Sequence, residues 1–354
     1  MNRSGILALT HSSRRTNLAR CSAEFLARRF GDPERLRDLP PFETLPPPEH
    51  LYSGAASFFR VHQHGRELRF QPFGSIRDRE KIQHVALLAD TDLLVGYEQR
   101  VERWRLPGPV GSLARITRAG CTVVRRYEHS YLAGLHTVAP IPGDRALLAC
   151  SASDAVLVLN LETGAVERTL RMPAALYGSN YDLTLERDLR RHYIADAYQR
   201  THLNQASPID GGRRAVVSTL IQGAVGVFDL ESGAYEELAH GFVGCHGARV
   251  NEEGRVYLAD SAAGHLVALD GQGRVARRFD AGSRWLHDVQ QIAGSVYAFA
   301  LADANELRII DLDRQEVLFV RRFFTWPVEG LFGIPHRLRF WLGNSTQALS
   351  FRWL

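Results

Sequence analysis

An all-β fold of repeated four-stranded sheets is what this sequence predicts, and three observations predict it. From about residue 150 onward, apolar and polar residues alternate in short runs bounded by Gly, Asp and Ser, the period of half-buried strands. The runs repeat as units. "ALLACSASDAVLVLNLETGAVERTL", "AVVSTLIQGAVGVFDLESGAYEEL" and "RVYLADSAAGHLVALDGQGRVARRF" each read as strand, turn, strand, tight turn, strand, with ETG, ESG and GQG at the same hairpin. "SVYAFALADANELRIIDLDRQEVLFVRRF" follows with DRQ in that turn. Third, one more strand leads each unit, and each leading strand opens on a histidine. "QHVALLA", "LHTVAPI", "THLNQAS", "CHGARVN", "LHDVQQI" and "PHRLRFW" carry His84, His136, His202, His246, His287 and His336. The gaps between these histidines vary from 41 to 66 residues, while the distance from histidine to hairpin is nearly shared. Four-stranded blades joined by variable connections have that signature. Six leading strands predict a six-bladed β-propeller, with seven blades left open.

The elements then follow in order. Only 18 residues follow His336, too few for a four-stranded blade, and an unclosed propeller would expose a sheet edge. An N-terminal strand, "GILALTHS" or one within 56–72, is therefore expected to complete the last blade. "NLARCSAEFLARRFG" has helical spacing and a glycine stop, and "DLPPFETLPPPEHL" is a rigid proline-rich connector. On this basis 1–55 is an N-terminal extension with a closing strand and a short helix, and 56–354 is a single propeller domain. "TLERDLRRHYIADAYQR", near 184–200, places Leu185, Leu189, Tyr193, Ile194 and Ala197 on one helical face. This inserted helix accounts for the longest gap, either as a lid over one end of the channel or as packing.

Composition excludes several function classes. Of 354 residues, 45% are hydrophobic and 23% charged, an ordinary globular balance. The net charge is +4, almost all of it from arginine, and Lys81 is the only lysine. The arginines are dispersed and form no basic tract, which disfavours nucleic-acid binding. Four widely spaced cysteines without a C-x-x-C pair suit a reducing, cytoplasmic setting. The apolar run "ILAL" is short for a secretory signal, and no stretch approaches the ~18 apolar residues of a membrane helix.

In a propeller the first strand of each blade lines the central axis, so residues at one register form a ring around it. Imidazole is a common neutral ligand for Fe, Zn or Mn, and a ring of six makes His84, His136, His202, His246, His287 and His336 candidate metal ligands. His136, His202, His246 and His287 lie in the best-aligned units. The competing reading is a set of hydrogen-bonded structural histidines. Two positions further along come Ala86, Val138, Asn204, Ala248, Val289 and Leu338, five of them apolar. Asn204 is the exception, suited to orienting a ligand or an imidazole. Glu128 and Glu329 enter the ring on loops, where each either supports an imidazole N–H or is simply solvated. Tyr177, Tyr181 and Trp326 either wall a pocket or pack. Strand alternation turns Cys245 and Asp288 away from the axis, and His62 and His64 fit a surface strand.

With these residues in view, the sequence resembles metal-dependent β-propeller enzymes that hold their ion with axial histidines, over roughly residues 80–354. Carotenoid-cleaving oxygenases hold Fe(II) this way, and peptidyl-hydroxyglycine lyases hold Zn. Neither family's local motifs are present, so only the histidine-ring logic carries over. "THLNQASPIDGGRRAVVSTLIQGAVGVFDLESG" is also similar over one blade to the His-x-Asn strand of aryl sulfotransferases, although Gln205 stands where that family has serine. The resemblance implies a divalent transition metal, Fe(II) first and Zn or Mn next, acting on a small organic substrate as an oxygenase or a lyase. Group transfer through His202 and a non-catalytic binding scaffold are the alternatives.

Overall fold

The computed structural model describes residues 2–14, 52–78, 80–178, 199–323 and 345–354. Alternation along the chain produces six antiparallel sheets arranged as the blades of a β-propeller. Blades I to V run consecutively, each starting at the axis. Their inner strands are Ile82–Ala89, Leu135–Ile141, Leu203–Ile209, Cys245–Val250 and Leu286–Ala293. Blade VI joins the chain's two ends. Its inner strand is Ser345–Trp353, paired with Asn2–Arg14, which pairs in turn with Tyr52–His64 and Glu67–Asp78. The short segment Ile116–Thr117 adds to its rim in parallel.

Closure therefore follows the expected principle with more chain than expected. "GILALTHS" and the 56–72 region both contribute, so three N-terminal strands complete blade VI. The strand Tyr52–His64 crosses the expected boundary at residue 55. The leading strand of that blade is not the one carrying His336. Ser345–Trp353 occupies the axis and holds no histidine. His336 itself lies outside the described residues, as do the N-terminal helical segment, the proline-rich connector and 179–198, which includes nearly all of the expected inserted helix.

Among the described residues, six large apolar clusters hold the ring, each between two neighbouring blades. Trp104, Tyr97, Phe58 and Ile76 join blade VI to blade I, and Leu9, Phe59, Leu307 and Leu349 join V to VI. The four clusters between follow in sequence around the circle. Because each cluster joins two neighbouring blades, the inner strands are held at fixed spacing, and the side chains at their starts converge on the axis.

Candidate functional site

Each inner strand begins with a local irregularity. In blades II, III and V one residue is squeezed out of the ladder to the second strand: His136, Asn204 and His287. Gln83 is the matching residue of blade I. In blade IV the shift comes just after His246. A β-bulge re-aims a side chain that regular alternation would send elsewhere. The residue preceding each of these by two fixes the register. Gly134, His202, Gly244 and Trp285 each accept a hydrogen bond from the backbone N–H just after the second strand, at 2.8–3.4 Å. His136, His246 and His287 therefore share one position, and Asn204 fills it in blade III. His202 stands two residues earlier, and His84 one residue later.

This corrects the six-fold ring. Four histidines still meet at the strand starts, through different routes. The His136 and His202 rings lie edge-on with centroids 4.6 Å apart, and those of His246 and His287 lie tilted at 4.6 Å. Trp285 closes on His246 at 6.0 Å. His84 faces Arg249, Asp288 and Leu349 instead, deeper along the axis. His336, Glu329, Tyr181 and Trp326 lie outside the described residues.

His202 has a left-handed backbone, φ 50°, at the register where blades II and IV place Gly134 (φ 65°) and Gly244 (φ 80°). A side chain there costs roughly 1–2 kcal/mol relative to glycine. Such cost persists where a side chain is needed, and here the side chain is an imidazole against His136.

Burial disfavours the charged form of two of these imidazoles. The His136 imidazole is held well below its ordinary range by desolvation, then by the fields of His202, Lys81, His246 and His287. His246 is pushed down to about 4, first by burial and then by His202. Its Nδ1 lies 2.9 Å from the Gly244 carbonyl and 2.8 Å from Ser261 Oγ. A carbonyl accepts only, so Nδ1 carries the proton and Nε2 keeps the lone pair. Asn204 is fully engaged: Nδ2 donates to the Cys245 carbonyl (2.7 Å), and Oδ1 accepts from Ser218 (2.7 Å). It fastens blade III to the residue beside His246.

Two residues were missed by sequence reasoning. Lys81, at the register of Gly134, is buried and its charge reaches His136. Its signal was its singularity: a chain that uses arginine everywhere else keeps one lysine here. Arg249 is the other. It is buried with Asp288 in a two-point ion pair (2.5 and 3.0 Å) and donates to the carbonyls of Val289 (2.7 Å) and Leu349 (3.0 Å). Asp288 Oδ2 accepts from Leu349 N–H at 2.7 Å. This pair spans the axis below the histidines. Burial alone would disfavour the guanidinium charge, and the Asp288 carboxylate reverses that, raising Arg249 above its ordinary range.

The remaining expectations resolve simply. Cys245 packs in the apolar core, and its thiol is raised by burial. Asp288 pairs with Arg249 on the axis, against the expected turn away from it, and its charge reaches His84 and His246. His62 sits on the surface against Ser4. Glu128 is exposed. Tyr177 packs outward, its hydroxyl 2.9 Å from that of Tyr235 and bonded to Glu237.

The imidazoles have the donor chemistry of a transition-metal site, with a proton fixed on one nitrogen by a carbonyl. Among the described residues, however, no three His, Cys, Asp or Glu side chains gather closely enough to hold an ion. The histidines meet in pairs, and those residues alone do not make a three-ligand centre. No helix among them is long and apolar enough to cross a membrane.

No family model matches the chain, and no curated protein matches it. Solved structures match at the level of fold. A chain of a nidogen/laminin complex is 10% identical over 97% of this chain and 98% of that one, with a TM-score of 0.55. A streptogramin B lyase is 10% identical over 77% and 80%, TM-score 0.49. A virginiamycin B lyase from Staphylococcus aureus is 10% identical over 80% and 84%, TM-score 0.47. At such identities the likeness is one of fold, and the fold is the β-propeller.

Proposed function

We propose that the chain is an enzyme that moves protons on a small organic substrate at the histidine end of its axis, with lyase-type elimination as the reaction class. One observation carries this reading: the neutral imidazoles of His136 and His246 each pack against a second histidine ring, and the charge of the chain's only lysine reaches His136. A neutral imidazole takes a proton from carbon or oxygen without first having to lose its own. His246, with its Nδ1 proton held by the Gly244 carbonyl, presents Nε2 as the base. The Lys81 ammonium supplies positive charge where a substrate oxygen becomes negative. His202, held in left-handed backbone against His136, positions that second imidazole.

The test is exchange and elimination on a panel of small oxygenated compounds in deuterated buffer. Turnover with solvent-hydrogen exchange should fall at least about a hundredfold in His246→Ala and in Lys81→Met. Exchange that survives both substitutions refutes the assignment.

A transition ion held by the axial histidines, Fe(II) for oxygenase chemistry or Zn or Mn for a lyase, is the second reading, favoured by the carbonyl-fixed tautomer of His246. It needs a third ligand from outside the described residues. Elemental analysis separates the two: stoichiometric metal that disappears in His136→Ala and His246→Ala supports the ion.

A further inference from the structure

The opposite end of the axis carries a cavity that the imidazole cluster does not use. Its volume is about 470 Å³, within the range of small-molecule sites. All six inner strands line it, mostly with their later residues, so it is the far mouth of the channel, below the Arg249–Asp288 pair. Leu87, Val138, Ala139, Phe58 and Phe351 make apolar walls. Arg249 and His84 form the floor, and Arg352 stands with the strand ends at the rim. No Asp or Glu is among the residues lining it.

The uncompensated charge on this surface is that of Arg352. Arg249 donates through Nη1 and Nη2, and among the described residues its Nε has no hydrogen-bond partner. Asp288 neutralises it from behind the floor. Arg352 is exposed and gives only Nη1 to the protein, to the carbonyls of Leu87 (3.1 Å) and Leu88 (2.6 Å). It makes no ion pair among the described residues. We propose that this cavity binds a small organic anion, a carboxylate on a compact apolar body, with the carboxylate toward the arginines and the body against the hydrophobic wall. Arg352 leaves Nε and Nη2 without protein partners among the described residues, and that edge matches a carboxylate in geometry as well as in charge. His84 adds a ring and no charge, because burial pushes it down to about 4.

Calorimetric titration of the full chain with benzoate and with benzamide tests this, since the two share a body and differ in charge. Benzoate should bind about tenfold more tightly, with the advantage shrinking at high salt. Arg352→Gln should cost benzoate about tenfold and leave benzamide within twofold. Ala139→Phe, which fills the cavity from a half-buried wall position, should abolish both. Equal affinity for the two compounds, no benzoate binding at millimolar concentration, or benzoate binding that survives both variants overturns the proposal. His246→Ala should leave benzoate affinity within twofold, so failure of the proton-transfer reading and failure of this one are read separately.

Discussion

Replacing His202 by glycine and by alanine gives a comparison whose sign is set by backbone geometry. At an ordinary buried position glycine is less stable than alanine by about 0.5–1 kcal/mol, because the unfolded chain gains freedom. At φ 50° the alanine Cβ meets the preceding backbone, at roughly 1–2 kcal/mol. Both variants lose the edge contact with His136 equally, so that term cancels. The balance favours His202→Gly over His202→Ala by about 0.7 kcal/mol, the difference between the midpoints of the two costs. His246 has no left-handed backbone, and there the order should be the usual one, His246→Ala above His246→Gly. Paired urea melts of the four variants, followed by tryptophan fluorescence, measure the two differences. Alanine equal to or more stable than glycine at position 202 refutes the claim that the backbone is held for an imidazole.

Three further outcomes follow from the same geometry. Acid should destabilise the protein early: His84 and His246 take up a proton near 6.5 when unfolded but only near 4 when folded, and His11, buried beside Arg77, only near 3. Their contribution is intact above pH 6.5 and is lost as pH falls toward 4, at about 1.4 kcal/mol per pH unit for each group, so denaturation midpoints should drop across that window. A flat profile between pH 6.5 and 4 contradicts the buried, neutral state. Asp288→Ala strands the Arg249 charge and should cost about 3–5 kcal/mol, while Arg249→Met with Asp288→Leu should recover most of that in a denaturation series. Gly134→Ala should cost about 2 kcal/mol or more, because its Cβ would lie 2.5 Å from Ser151 Oγ and 2.7 Å from Ala152 N at a φ of 65°.

The blades were legible because strand alternation and hairpin glycines are local signals. Aligning the leading strands on their histidines located the axis and four residues that meet there. It could not see the bulges. One extra residue at the start of a strand is invisible in a periodic pattern, and it shifts every later side chain by one position. His84 thus reads as the equal of His136 while lying one step further along and facing Arg249. Asn204 reads as the residue beneath His202 while occupying the histidine register itself. Asp288 was set aside by alternation, which gave no hint that it would lie on the axis facing His84, or of its partner 39 residues earlier. Blade VI was the least legible element, since its inner and second strands come from opposite ends of the chain and no sequence interval contains it.

That same joining of ends has a kinetic meaning. Leu349 offers its N–H to Asp288 and its carbonyl to both Arg249 and His84, so the polar layer across the axis lacks three of its bonds until residues 345–353 are made. During synthesis the earlier blades can stack while that layer waits with a guanidinium and a carboxylate half satisfied. The Arg249–Asp288 pair itself needs only blades IV and V, and the strand Ser345–Trp353, seated between blades V and I beside Asn2–Arg14, adds the last three bonds of that layer.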